Sequence, residues 1–250
     1  MINNKIFLFV FVMIFSFSLA SGQIKGKFIT VSGNFSATYI IEDEYIMLEK
    51  LKSMSYNFNY RIVDSVKILD KKFSFQVKAD SDENYRLYFP ITGKVISMVL
   101  GGQDVSIKDI DFNNLTKSYT LAGSKEMEDL NKIHNILGRF ALDADKMQAK
   151  LDAGGNAQMK QKMKLQSKAL KNKYMDEAKT VWNNMNSSVA VCFAAALLDP
   201  TSNEDLKYLR SLSAKMKPVA TSPAKKRFVT YIDAIVGAVE PITPEKPKGK

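Results

Sequence analysis

The chain has 250 residues, 46% of them hydrophobic and 25% charged, a balance that excludes an intrinsically disordered protein and allows one large domain or two small ones. Its 36 basic against 26 acidic residues leave a net charge of +10, which favours anionic surfaces. The single cysteine, Cys192, excludes an internal disulfide, so the core has to hold the fold.

Lys5 precedes ten unbroken apolar residues, Ile6 to Phe15, and then the small residues Ser16 to Gly22. This reads as a secretory signal peptide over residues 1–22, cleaved after Ala20 or after Gly22. The apolar run is shorter than the ~20 residues that span a bilayer. The reading predicts an exported protein of the periplasm or cell envelope. The anionic partners there are lipid head groups or acidic envelope polymers, and not nucleic acid.

Residues 23–122 have a β pattern. Strands are predicted over Phe28–Val31, Phe35–Ile41, Glu44–Leu51, Tyr85–Phe89, Val95–Leu100, Asp104–Ile107 and Tyr119–Leu121, with Asp80–Asn84 as a polar turn and Gly101-Gly102 as another. The stretch Tyr60–Val77 reads as a β-hairpin that starts one sheet: Ile62, Val66 and Ile68 lead into Leu69-Asp70-Lys71-Lys72, and Phe73, Phe75 and Val77 then alternate with Ser74 and Gln76. Short strands with turns at this frequency predict an antiparallel β-sandwich.

An α-helical region is predicted over residues 123–238. Ser124 with Glu126 and Glu128 suits a helix start, and Ile133, Ile136, Leu137, Phe140, Ala144, Met147 and Leu151 mark one apolar face. Gly154-Gly155-Asn156 stops that helix. A second follows from about Ala157 with the stripe Met159, Met163, Leu170, Tyr174, Val181 and Met185, so the pair is expected to form a long antiparallel helix hairpin. Three shorter helices are expected: Val189–Leu198, a helix capped by Thr201 or Ser202, and one starting at Ser222-Pro223. Residues 239–250 are rich in Pro and Lys and are expected to be extended. The fold class is therefore α+β.

No catalytic, cofactor-binding or metal-ligating set is assigned. The only histidine, His134, lies mid-helix without a triad around it and is read as structural. Asp80, Asp82 and Glu83 lack the Gly and closing Glu of a calcium loop and are read as a solvated turn. Cys192 has Ser188, Val189, Ala195 and Ala196 as helical neighbours, none of them cationic, and is read as a buried thiol, with redox chemistry as the alternative. Lys160, Lys162, Lys164, Lys168, Lys171 and Lys173 crowd the second long helix; a solvated face is the plainer reading and docking on anionic membrane the sharper one.

Several of these segments resemble a known family. Asp64-Ser65-Val66, Asp70-Lys71-Lys72-Phe73-Ser74-Phe75, Tyr85-Arg86-Leu87, Gly101 to Ile107, Leu121-Ala122-Gly123-Ser124 and Asn186-Ser187-Ser188-Val189-Ala190 are similar to the domain of unknown function that precedes the thioredoxin domain in exported thiol-disulfide oxidoreductases of Gram-negative envelopes. Two departures stand out. Family members usually carry glycine where Lys71 stands, which implies a strained or differently built turn. Where their thioredoxin domain begins, after Val236-Gly237, this sequence has the Pro/Lys tail, so the resemblance does not carry thiol-disulfide exchange with it. It implies a non-catalytic envelope protein, a binding or accessory module, with a thioredoxin-like protein as a partner. The alternatives are a thiol-redox partner acting through Cys192 and a basic protein that docks on anionic membrane.

Overall fold

The computed structural model describes residues 27–36, 44–55, 58–115, 119–154, 156–185 and 188–239. The expected signal segment, the continuation of a strand past Ser36 to Ile41 and the Pro/Lys tail from Glu240 onward lie outside these residues.

The architecture is α+β: two four-stranded sheets come first and helices follow. The strands are β1 (Phe28–Phe35), β2 (Tyr45–Ser53), β3 (Asn59–Lys67), β4 (Lys72–Lys78), β5 (Glu83–Phe89), β6 (Lys94–Leu100), β7 (Val105–Ile110) and β8 (Thr120–Ala122). One sheet has the order β4-β1-β7-β8 and the other β3-β2-β5-β6. Every pairing is antiparallel except β1 with β7, which is parallel. The chain leaves β1 for the other sheet and comes back to lay β7 beside it in the same direction, and a parallel neighbour needs a long connection of this kind.

The expected hairpin is corrected by these pairings. β3 pairs with β2, and β4 pairs with β1 in the opposite sheet. Between them Leu69 and Lys72 exchange backbone hydrogen bonds of 3.0 and 2.9 Å, and Asp70 and Lys71 both have positive φ, 50° and 57°. The two-residue turn is therefore real and has the primed geometry of a hairpin. Immediately outside it the strands part: Ile68 N–H donates to Glu44 in one sheet, and Phe35 N–H reaches the Lys71 carbonyl in the other. The segment is a corner between sheets. Local alternation identified the strands, but burial of distant residues chose their partners.

On β4, Phe73, Phe75 and Val77 are buried while Lys72, Ser74 and Gln76 are exposed, which is the period of a strand with one face on the core. Phe35 of β1 meets Phe89 of β5 edge-on at 6.2 Å, and Phe112, just after β7, lies 4.7 Å from Phe89. These rings join the two sheets, and their edge-to-face geometry adds to plain area burial. β5 begins earlier than the sequence suggested: Glu83 and Asn84 are buried strand residues and not part of a solvated turn.

The helices are α1 (Lys125–Asp152), α2 (Ala157–Asn184), α3 (Ala194–Leu197), α4 (Asn203–Met216) and α5 (Pro223–Val239). Ser124 caps α1 by accepting from Met127 N–H, and Asn156 caps α2 by accepting from Met159 N–H at 2.9 Å. Ser202, not Thr201, caps α4, and Ser222 accepts from Lys225 N–H at 3.4 Å at the start of α5. Such caps satisfy N–H groups that the helix itself leaves open. The helix expected over Val189–Leu198 is instead a 3-10 turn, Val189–Phe193, followed by the single turn of α3. Its opening is tightened because Ser188 Oγ and the Glu126 carboxylate both accept from Ala190 N–H, each at 3.2 Å. One continuous buried cluster runs from the sheets through Met127, Leu130, Ile133 and Ile136 of α1 to Trp182 of α2, Leu209 of α4 and Phe228 of α5.

Candidate functional site

Cys192 is fully enclosed. Its Sγ lies 3.8 Å from the Ala224 carbonyl, and Asn84, Tyr60 and Phe193 line a small enclosed space beside it. Burial, with a contribution from the Glu126 charge, pushes the thiol up to about 12. A thiol of this kind holds its proton at neutral pH and is a poor nucleophile. The geometry makes it a core residue.

His134 faces Tyr119, whose hydroxyl is 2.8 Å from Nδ1, and the two rings meet edge-on at 5.2 Å. Burial pushes the imidazole down to about 4, so it is neutral near pH 7. This pair ties the chain before β8 to α1. Among the described residues no group of three or more His, Cys, Asp or Glu side chains is placed to hold a metal ion.

Sequence reasoning missed a polar seam between the sheets and the helices. The buried Glu83 carboxylate accepts from Arg227 of α5, and Lys50 Nζ stands 3.3 Å from its other oxygen. Nearby, Glu126 accepts from the Ser188 hydroxyl at 2.5 Å, and burial raises its carboxyl above the ordinary range. A carboxylate taken from water is tolerated only when paired and hydrogen-bonded. This seam holds the helices against β5, and its residues are occupied in doing so.

The lysine-rich stretch is different in kind. From Arg139 to Asp152 no residue of α1 is buried, and from Ala157 to Lys173 Met163 alone is buried in α2. The expected stripe is covered only in part: Met163, Tyr174 and Met185 are buried, while Met159 is 52% exposed. α1 and α2 touch through Arg139 with Glu177 and through the Tyr174 hydroxyl, which donates to Asp143 at 2.8 Å. Between Ala157 and Lys173 the sequence holds six lysines and no acid. At about 100° per residue, Lys160, Lys164, Lys168 and Lys171 fall within an arc of about 80°. Leu165, 66% exposed, stands next to that arc. The result is one cationic stripe edged by an apolar side chain, on a helix segment the sheets do not cover. No described helix is long and apolar enough to cross a membrane.

No protein-family model, curated protein or solved structure matches this chain.

Proposed function

We propose that this chain is an exported, non-catalytic binding module of the cell envelope, and that it docks on anionic lipid head groups through the cationic stripe of α2. In this reading the two sheets form a β-sandwich that serves as a rigid body, α1 and α2 form an antiparallel hairpin, and the far end of that hairpin reaches the membrane surface. The observation that carries the proposal is the run Ala157–Lys173, with six lysines, no acid and one buried residue. A stripe folded for the core alone has no need of this one-signed charge, whereas juxtamembrane lysines gain about 1 kcal/mol each near an acidic bilayer. Lysine stems also lie along apolar surface while their heads stay in water, which suits a helix at an interface.

Burial of the Cys192 thiol supports a role by binding over one by thiol exchange. The resemblance to the region before the thioredoxin domain of exported oxidoreductases supports placement in the envelope and names a thioredoxin-like protein as a further partner. Co-sedimentation of the full chain with vesicles tests the docking. The proposal expects binding to vesicles containing acidic phospholipid, little binding to neutral ones, and loss of binding as salt rises. Equal binding to neutral vesicles overturns it.

A further inference from the structure

The outer side of the first sheet carries a second feature, which does not depend on the α2 stripe. Ser32 of β1 stands opposite Ser74 of β4 and opposite Ser106 of β7 in the strand registers. Residues paired in this way share a face, with neighbouring strands ~4.8 Å apart, so three hydroxyls form a row across the sheet. Beside that row Asn34 stands opposite Lys72, and Lys108 follows two residues after Ser106 on the same face. Lys67 comes in from the end of β3.

These residues line an open groove of about 840 Å³ whose apolar wall is Val66 and Leu69, with the backbone of Gly33 on its floor, while the Phe73 and Ile107 side chains turn away into the core. Leu69 is 62% exposed. Gly33 is bare because a Cβ there would meet the Phe73 ring at 2.5 Å. Among the described residues no acidic side chain lines the groove. It thus joins a donor array of ammonium, hydroxyl and amide groups to an apolar wall. Ammonium and hydroxyl donors suit an oxyanion, and the apolar wall suits a hydrocarbon chain.

We infer that this groove binds a single-chain anionic amphiphile, its acidic head on the serine row between Lys72 and Lys108 and its chain along Leu69 and Val66. Charge complementarity fixes the sign of the head, and the apolar side chains of Leu69 and Val66 beside the lysines favour an amphiphile over a free anion.

Titration calorimetry on the full chain tests this with dodecyl phosphate below its micelle-forming concentration, inorganic phosphate, and the uncharged dodecyl maltoside. The inference expects one dodecyl phosphate per chain, with both comparators at least tenfold weaker. It expects Lys72→Gln with Lys108→Gln to weaken dodecyl phosphate at least tenfold at an unchanged melting temperature, Leu69→Ser to weaken it several-fold, and Lys160→Gln with Lys164→Gln to leave it unaltered. Should the double variant melt lower, Lys108→Gln alone serves, with a loss of at least threefold expected. Inorganic phosphate or dodecyl maltoside binding as well as dodecyl phosphate overturns the inference, as does no binding at all or affinity indifferent to the lysines. A failure confined to vesicle binding concerns the α2 stripe, and a failure confined to dodecyl phosphate concerns this groove.

Discussion

Arg227 on α5 donates to the carboxylate of Glu83 at the start of β5, 144 residues away in the sequence. The contact joins the last helix to a strand of the second sheet, and Lys50 completes it from β2. Glu83→Ala leaves the Arg227 cation facing a buried gap, so the expected loss is about 3–5 kcal/mol of unfolding free energy. Replacing Glu83 and Arg227 with Met removes the buried pair, leaves Lys50 as a cation with part of its side chain in water, and is expected to recover much of that loss. Urea unfolding of the single and double variants measures this; a double variant as unstable as Glu83→Ala would show that the pair does not act as a unit.

The corner turn predicts a stabilising substitution. Lys71 holds φ at 57°, a region that costs a side-chain-bearing residue about 1–2 kcal/mol. Lys71→Gly relieves it and adds about 0.5–1 kcal/mol of unfolded-state entropy cost, for a net gain of about 0.5–1 kcal/mol. Lys71→Val is expected to lose about 1 kcal/mol, since a β-branched residue resists positive φ more strongly. Thermal melts of both variants check the opposite signs.

Alkylation kinetics test the place given to Cys192. With its thiol enclosed and pushed up to about 12, a maleimide or iodoacetamide reagent at pH 8 is expected to label the folded chain only as fast as the chain opens, and the denatured chain within minutes. Rapid labelling of the folded protein restores the redox reading.

The His134–Tyr119 pair gives a pH dependence. The folded imidazole titrates at about 4 and the unfolded one near the ordinary 6.5, so between these values the unfolded chain binds a proton that the folded chain does not. Stability therefore rises with pH across this window: the contribution is complete above pH 6.5 and is lost as pH falls toward 4, by up to about 3 kcal/mol. His134→Gln is expected to flatten that portion of the stability profile. An identical slope in the variant and the parent would assign it to other groups.

What was legible in the sequence was local. Ser124, Ser202 and Ser222 were readable as helix caps because a cap is set by residues three or four apart, and the alternation of Phe73, Phe75 and Val77 marked a half-buried strand. The sheet in which a strand ends up is not local: Asp70-Lys71 announced a turn correctly, yet nothing within Tyr60–Val77 shows that its two arms go to different sheets. Glu83 looked like part of a solvated turn because its charge is compensated by Arg227, on a helix that arrives much later in the chain. The groove was invisible for the same reason, since Ser32, Ser74 and Ser106 become neighbours only through register. The lysine run was plain in the sequence, but its lack of cover was not, because heptad-like spacing implies a burial that the distal helices only partly provide.

The most direct test of the docking reading is the salt dependence of binding to acidic vesicles for the parent chain and for a variant in which Lys160, Lys164, Lys168 and Lys171 are all replaced by Gln. At about 1 kcal/mol per lysine, the variant is expected to bind at least ~100-fold more weakly at low salt, with a shallower fall in affinity as salt rises. A variant that binds as tightly as its parent, with the same salt slope, would contradict the assignment of this stripe to the membrane.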